Sequence, residues 1–388
     1  VLNPRETKLD KYASFVVRYA YGDEAKAVHD LSKKSKISDA FMKNENAVIL
    51  YGSEGLGVTG SASVASACAK LLHDNERVGK PNNGLVGVWE RANDQGAWEI
   101  GFNVEEDLVK ALKGKSVYLV GVDPVADDPK LAKALEGAEF VAVQDVIETA
   151  TTEIADVVLP AQAFTEREGT FTSGERRVQR FYPAVPVTGE AKPDFSITSQ
   201  IARHMGVILE GTSISALFDI LSDSVKSFEG LNYAKLAEVK AQWPIVGRGD
   251  LYYGGTTYEN KHGMGVHLSA AAGRGEKVSI SRVQSEAAPR PKENELLAVP
   301  VTKLYDRGTT VMPAELLHGR IGEATIALHP DAAQNLGVEA GQTVNVSFNG
   351  VSGEVVVKLD DTISVGVALV PRSMGIAIRE PVAVKVKP

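Results

Sequence analysis

The stretch NAVILYGSEGLGVTGSASVASACAKLLH, residues 46–73, contains three consecutive kinds of local structure. Asn46 to Tyr51 is a short continuous apolar run, typical of a buried strand. A glycine-rich turn follows to Gly60, and small residues at helical spacing continue from Ser61 to His73. The stretch therefore predicts a strand-turn-helix unit.

The same alternation continues along the next hundred residues. Strands are predicted at Gly84–Trp89, Ser116–Val122 and Phe140–Val146, with helices at Val104–Lys113 and Lys130–Glu136 between them. Strands that are apolar on both faces and alternate with helices indicate a parallel sheet covered on both sides. We expect a doubly wound α/β fold with a mainly parallel sheet.

The last ninety or so residues have a different pattern. Thr343–Phe348 and Gly353–Leu359 read as strands, and Asn349-Gly350 between them is typical of a type I′ hairpin turn. The predicted organisation is the end of a preceding α/β layer at 1–44, a Rossmann-like domain at 45–246, a linker at 247–296 and a β-barrel at 297–388.

Composition excludes several classes of protein. The 42 basic and 50 acidic residues give a net charge of −8, which disfavours nucleic acid as a partner. The single cysteine, Cys68, excludes a disulfide or a cysteine-ligated iron-sulfur cluster within these residues. Apolar runs fall short of the roughly 20 residues that span a bilayer, so no direct membrane insertion is expected.

The glycines Gly55, Gly57 and Gly60 form a GxGxxG pattern between a strand and a helix. Such a turn can hold a dinucleotide, but the acidic Glu90 follows about thirty residues later, where roughly twenty are expected for a ribose ligand. A tight turn and close packing of the helix on the strand explain these glycines better than dinucleotide binding does. An NAD-binding dehydrogenase that uses this loop remains an alternative.

Other candidate chemistry is sparse. Cys68 lies among small residues, where a thiol behaves as a buried apolar group. His262 and His267 are close in sequence but lie in a glycine-rich stretch, and we predict neither a metal site nor catalytic residues. The irregular segment 155–182 carries a dense mixed-charge run with several aromatic residues, and long loops of this kind often form interfaces. The interface candidates are Glu166, Glu168, Arg176, Arg177 and Gln179.

Several motifs together resemble one superfamily. Residues 155–179, ADVVLPAQAFTEREGTFTSGERRVQ, continue into GEAKPDF at 189–195 and IARHMG at 201–206. Asn3-Pro4-Arg5-Glu6-Thr7 and Gly121-Val122-Asp123-Pro124 are similar to "DPRxT" and "GxNP" elements at strand ends. The chain thereby resembles the molybdopterin oxidoreductases, and residues 329–344 resemble their terminal double-psi β-barrel. In molybdenum members such elements approach the dinucleotide arms of the cofactor.

Within this superfamily, FTEREGTFTSGERRVQRF and the ending VPRSMGIAIREPVAVKVKP look like the large iron-sulfur subunit of respiratory complex I, the NADH-quinone oxidoreductase. That resemblance implies a C-terminal fragment acting as a non-catalytic scaffold, with 2Fe-2S and 4Fe-4S clusters outside it. It implies no bound cofactor here, only a vestigial pterin-dinucleotide site at Asn3, Arg5, Thr7, Gly121, Asp123 and Pro124.

The resemblance also implies partners and a location. The partners would be other subunits of the peripheral arm of complex I, which passes electrons from NADH toward quinone. The location would be the cytoplasmic face of the bacterial inner membrane, or the matrix side in a mitochondrion. The alternative within the superfamily is a fragment of a true molybdenum oxidoreductase such as a formate dehydrogenase, in which molybdopterin would be bound.

Overall fold

The structure is a computed structural model that describes residues 1–31, 33, 35–52, 55–80, 82–102, 104, 107–236, 265–280 and 289–388. The strands are β1 Ala47–Gly52, β2 Asn83–Val88, β3 Ser116–Val120, β4 Phe140–Asp145, β5 Val157–Pro160, β6 Gly169–Thr172, β7 Arg177–Phe181, β8 Val266–His267, β9 Leu296–Val301, β10 Thr325–Leu328, β11 Thr343–Phe348, β12 Val351–Leu359, β13 Val367–Pro371 and β14 Val382–Lys387.

The α-helices are α1 Glu24–Asp30, α2 Lys36–Lys43, α3 Gly57–Asp74, α4 Asp94–Glu99, α5 Leu108–Leu112, α6 Pro124–Asp127, α7 Pro129–Leu135, α8 Ala150–Glu153, α9 Asp194–His204, α10 Ile214–Ser224, α11 Tyr233–Leu236, α12 Glu315–His318 and α13 Pro330–Leu336. The chain divides into two compact units. Unit 1 comprises Val1–Val88, Asp127–Pro129 and Val278–Pro388; unit 2 comprises Trp89–Ala126 and Lys130–Lys277.

Unit 1 contains the predicted strand-turn-helix and the predicted barrel. Strands β1 and β2 pair in parallel, and α3 connects them, so the strand-turn-helix predicted at residues 46–73 and the strand predicted at Gly84–Trp89 are confirmed to within a few residues. The face of this sheet toward α1 and α3 is packed around Val64, Cys68 and Leu71. On the other face Leu50 is 67% exposed and Val88 is 56% exposed, so the expected cover on both faces is not supplied by the described residues.

The C-terminal part of unit 1 is a closed six-stranded barrel in the order β10-β12-β11-β14-β9-β13. Alternate side chains of the strands fill its interior, among them Ile326, Leu328 and Val346, each with no exposed surface. Between β11 and β12, Asn349 and Gly350 both have positive φ, at 45° and 83°. This geometry confirms the predicted hairpin turn, which requires positive φ at both central residues.

Unit 2 is built on a second parallel sheet, in the order β3-β4-β5. Val141 and Val143 pack against α5 and α7 residues on one face. A separate antiparallel sheet, β6-β7-β8, combines two strands of the segment 155–182 with the later strand β8 and packs with α10 and α11. The α/β fold class with parallel sheets and a terminal barrel is therefore confirmed. Most of the predicted linker 247–296 lies outside the described residues.

Candidate functional site

A cavity of about 600 Å³ lies within unit 1, between the start of the chain, helices α1 to α3, strand β1 and strand β9. Its volume is within the 300–1,000 Å³ range of small-molecule sites. Its buried end is made by apolar residues of α1 and α3, including Val28, Val64 and Leu71. Its polar wall carries Asn3, Arg5, Tyr19, Tyr21 and Glu24.

Titratable groups of this cavity have shifted pKa values. Burial raises the pKa of Tyr19, and the neighbouring Glu24, Tyr21 and Cys68 raise it further. Burial also raises the pKa of Glu24 and lifts that of the Cys68 thiol to about 11. Tyr19 and Cys68 are therefore uncharged hydrogen-bonding groups at neutral pH. Perturbed groups gathered in one cavity are a frequent mark of a binding site.

The cavity is open to solvent on one side. Leu50, which lines it, is 67% exposed, and Val48 is 49% exposed. A ligand could therefore enter it without any part of the fold opening.

The segment that opens the chain provides one cation at this cavity. The Asn3 Oδ1 atom accepts a hydrogen bond from the backbone N–H of Arg5 at 3.0 Å, which fixes a local turn. The Arg5 guanidinium has no acidic partner within the described residues, although it is only partly exposed. Thr7 is engaged elsewhere, because its hydroxyl donates to Asp10 Oδ1 at 2.8 Å. Asn3 and Arg5 thus line the cavity, whereas Thr7 does not.

The GxGxxG loop is packed against strand β9 and against Glu380, which precedes β14. A Cβ atom on Gly55 would lie 2.7 Å from Val299 Cγ1, and one on Gly57 would lie 2.9 Å from Glu380 Cβ. The Glu380 carboxylate oxygen Oε2 would be 3.2 Å from the same position, at the first residue of α3. A carboxylate there repels the diphosphate that an NAD site must bind. The geometry favours the packing explanation over the NAD alternative.

The second set of predicted site residues, Gly121, Asp123 and Pro124, lies in unit 2 after β3. Gly121 has φ of 62° and donates its N–H to the Gln144 carbonyl at 2.9 Å. The buried Asp123 Oδ1 accepts from the backbone N–H and the hydroxyl of Thr151, at 3.0 and 2.6 Å. Pro124 begins α6. Asp123 therefore connects the turn after β3 with the first turn of α8, which follows β4.

Replacing Asp123 by alanine is expected to lower the free energy of unfolding by about 2 kcal/mol, because the buried Thr151 donors lose their acceptor. Asp123→Asn is the matched control, since its amide oxygen can still accept, and it should lose less than half as much. Urea denaturation followed by circular dichroism measures both. Equal losses for the two variants would contradict the assigned role of this oxygen.

The predicted interface candidates lie in unit 2 and are largely paired within it. Glu166 accepts from the backbone N–H groups of Thr188 and Ala163, and hydrogen bonds from the Thr188 side chain and from these backbone groups hold its pKa below the usual value. Arg180 Nη2 donates to Glu168 at 2.7 Å, Arg177 Nε donates to Glu175 at 2.9 Å, and Arg176 pairs with Glu99. Gln179 is exposed on β7. These ion pairs and hydrogen bonds stabilise the segment 155–182 within unit 2. Its role as an interface stays a prediction.

Sequence reasoning missed three residues of the cavity: Tyr19, Tyr21 and Glu24. Tyr19 and Tyr21 are separated by one residue, and Tyr21 begins the turn before α1, so no strand alternation predicts that both side chains line the cavity. Nothing in the sequence distinguishes Glu24 from the other acidic residues at helix starts, because its burial depends on α3 and β1 folding over it.

Two further properties concern only the part of the chain that the structure describes. No group of three or more His, Cys, Asp or Glu side chains there is arranged to hold a metal ion. His262 is outside the described residues, and His267 lies 3.3 Å from Arg177 Nη2. Among the same residues, no helix has the length and apolar character needed to cross a bilayer.

Comparison with known proteins identifies this architecture. The family model described as "Molybdopterin oxidoreductase" matches residues 19–204. Acetylene hydratase from Pelobacter acetylenicus superposes on 95% of the chain with a TM-score of 0.61 and 15% sequence identity. The chain has the molybdopterin oxidoreductase fold. At this identity the acetylene hydratase structure establishes the fold alone.

Several curated proteins similar in sequence are named as formate dehydrogenases. The F420-dependent formate dehydrogenase 2 subunit alpha of Methanococcus maripaludis is 30% identical over 314 residues, 76% of this chain and 45% of that relative. Formate dehydrogenase 1 subunit alpha of the same organism is 25% identical across 96% of the chain. Formate dehydrogenase H of Escherichia coli is 36% identical over 150 residues. The chain spans less than two thirds of the length of these relatives.

These relatives overturn the complex I prediction. The chain matches formate dehydrogenase alpha subunits over most of its length, so the assignment to the large iron-sulfur subunit and the non-catalytic scaffold role are wrong. The cofactor prediction is wrong too, because a molybdopterin fold with such relatives makes a pterin cofactor plausible. The predicted subunit partners, the domain boundaries and the individual site residues stay predictions. The predicted location in the peripheral arm of complex I followed from the complex I assignment, which these relatives overturn.

Proposed function

We propose that this chain is part of the catalytic subunit of a molybdopterin-dependent oxidoreductase of the formate dehydrogenase type. The observation that carries the proposal is the 30% identity to a formate dehydrogenase alpha subunit across 76% of the chain. The confirmed fold supports it independently of sequence identity. The reaction removes two electrons and one proton from formate and yields carbon dioxide.

The cavity of unit 1 fits one arm of such a cofactor. A pterin dinucleotide carries a diphosphate, and an anion of this kind needs positive charge and N–H donors. Arg5 offers a partly buried guanidinium that has no acidic partner among the described residues, and Asn3 offers its side-chain amide N–H groups beside it. Bound molybdopterin would supply the metal centre for the two-electron chemistry. Arg5 and Asn3 would bind and orient its anionic arm.

Cofactor analysis tests this proposal. The full-length protein that contains these residues is purified from a host grown with molybdate and assayed for molybdenum by mass spectrometry and for pterin by fluorescence. We expect near-stoichiometric pterin and formate-dependent reduction of a viologen dye. A protein purified from a competent host without pterin or molybdenum would contradict the proposed function.

The residue assignment has its own test. Arg5→Ala is expected to reduce the pterin content at least about tenfold, because a charge-assisted hydrogen bond contributes roughly 1.5–3 kcal/mol. Lys8→Ala is the matched control, since Lys8 belongs to the same segment and is exposed away from the cavity. Unchanged pterin content in Arg5→Ala would remove Arg5 from the site and leave the proposed function standing.

A further inference from the structure

The hairpin that joins strands β11 and β12 carries an exposed Asn-Gly pair at its tip. Phe348 and Val351 are the last paired residues of the two strands, and Asn349 and Gly350 form the turn between them. Both turn residues are exposed. A Cβ atom added to Gly350 would meet no atom of the described residues within 4 Å, its chain neighbours excepted. The space around this side of the turn is therefore open.

The peptide between Asn349 and Gly350 can change its orientation within this turn. Across the described ranges, no hydrogen bond involves the Asn349 side chain, the Asn349 carbonyl or the Gly350 N–H. The two positive φ angles, 45° and 83°, are those of a type I′ turn. Type II′ also has positive φ at its first central residue, and glycine adopts either sign of φ at the second. A rotation of this one peptide plane therefore converts one turn into the other and leaves the strand pairing unchanged.

That rotation brings two reactive groups together. In a type II′ turn, ψ of the first central residue is about −120°, the mirror image of the type II value. For an L-residue the next backbone nitrogen then eclipses Cβ. The Gly350 nitrogen comes within reach of the Asn349 side-chain carbon Cγ, so the atoms Cγ, Cβ, Cα, C and N can close into a ring. Glycine has no side chain that would obstruct this attack.

We propose that Asn349-Gly350 is a site of spontaneous succinimide formation, through which Asn349 becomes aspartate or isoaspartate. The Gly350 nitrogen attacks Asn349 Cγ and forms a new N–Cγ bond. The Cγ–Nδ2 bond breaks, and Nδ2 leaves as ammonia with the proton of the Gly350 N–H. Water then opens the ring: attack on Cγ gives aspartate, whereas attack on the backbone carbonyl carbon gives isoaspartate. The reaction consumes water, releases ammonia and changes no oxidation state.

A second Asn-Gly pair of the chain has the same two residues in a protected geometry. Asn83 and Gly84 belong to strand β2, which pairs with β1 along its whole length. Asn83 Oδ1 accepts from the Ala47 N–H at 3.0 Å, and Asn83 Nδ2 donates to the Glu45 carbonyl at 3.0 Å. The extended ψ of a parallel strand, about 115°, also keeps the following nitrogen away from Cγ. Asn83 is therefore the matched control for Asn349 within unit 1.

Isoaspartate changes the hairpin itself. Its backbone runs through Cβ, so the turn gains a backbone atom and can no longer be type I′. Because turn length sets the register of a hairpin, the pairing of Phe348 with Val351 is disturbed. Both products also add a negative charge at the tip. The site shares no residue with the cofactor site of the proposed function, so the two are tested independently.

Peptide mapping of aged protein tests this site. The full-length protein is incubated in mildly alkaline buffer, digested, and analysed by mass spectrometry for the mass gain that accompanies replacement of a side-chain NH2 by OH. In the folded protein we expect Asn349 to be converted at least about tenfold faster than Asn83, a difference of about 1.4 kcal/mol in the barrier. Isoaspartate should be among the products. An Asn349 rate equal to or below that of Asn83 would overturn the proposal.

Two controls separate the effect of the fold from that of the neighbouring residues. In guanidinium chloride Asn83 is released from β2, so the two asparagines should react at similar rates. A preference for Asn349 that persists unchanged in the unfolded protein would show that the turn does not cause it and would overturn the proposal. Asn349→Gln keeps an exposed side-chain amide but lengthens the side chain by one carbon, and its peptide should show no mass gain. A gain that remains in this variant would belong to another residue and overturn the assignment.

Discussion

Replacing Gly55 by alanine is expected to lower the free energy of unfolding by roughly 3 kcal/mol, through backbone strain and overpacking together. The φ angle of Gly55 is 78°, which favours glycine. An added Cβ would also lie 2.7 Å from Val299 Cγ1 and 3.1 Å from the Pro300 carbonyl oxygen. Because backbone atoms form part of this contact, the side chains cannot simply rotate away. Urea denaturation of the two proteins measures the difference.

Gly337→Ala is the matched control for Gly55→Ala. Gly337 also belongs to unit 1 and has φ of 68°, but no atom of the described residues lies within 4 Å of its added Cβ. Its alanine variant should therefore lose only about 1 kcal/mol, the cost of the left-handed backbone alone. Equal losses at the two positions would show that the loop is not packed against β9. That outcome would reopen the GxGxxG loop as a binding site.

Removing the side chain of Glu99 is expected to lower the free energy of unfolding by about 2–3 kcal/mol, because Arg176 is left without its counter-ion in a partly buried site. Arg176 Nε and Nη2 donate to the two Glu99 carboxylate oxygens at 2.5 and 3.1 Å. The Glu99 side chain is only 12% exposed. Gln95 Nε2 adds a third donor at 2.9 Å. Denaturation of Glu99→Ala measures the loss.

Glu175→Ala is the control for the Glu99 variant. Glu175 pairs with Arg177 in the same segment, but its side chain is 53% exposed, and exposed pairs contribute about 0–1 kcal/mol. We expect a small loss there. A loss from Glu175→Ala as large as that from Glu99→Ala would contradict the distinction between a buried and a solvated pair.

The same pair predicts a pH dependence. Burial alone would raise the pKa of Glu99, but hydrogen bonds and charge from Arg176 outweigh it and hold the pKa below its usual value. A carboxyl whose pKa is lower in the folded state stabilises the protein above its unfolded pKa, near about 4.3. That stability is lost as the pH falls through the folded value. The wild-type protein should lose more stability than Glu99→Ala between neutral pH and acid pH.

Sequence patterns predicted the local elements well where one property repeated over several residues. The apolar run before Gly52, the small-residue helix around Cys68 and the Asn349-Gly350 turn all appear as expected. Each is decided by neighbours along the chain, through side-chain period or through positive φ. The motifs at 155–179 also pointed to the right superfamily. They did not separate the branches of that superfamily, because short motifs that several branches share reflect the common fold and not the reaction that each branch catalyses.

The amino-acid sequence by itself determined the parallel α/β units, the terminal barrel and the exclusion of a cysteine-ligated cluster within these residues. Only the tertiary structure decided which polar residues share a site. Glu24, Tyr19 and Cys68 meet in one cavity because α1 and α3, which are separated along the chain, pack together. Glu380 reaches the start of α3 from the opposite end of the sequence. Local periodicity decides which face of a helix or strand is apolar. Long-range packing decides which other element that face contacts and which charged side chains are removed from solvent.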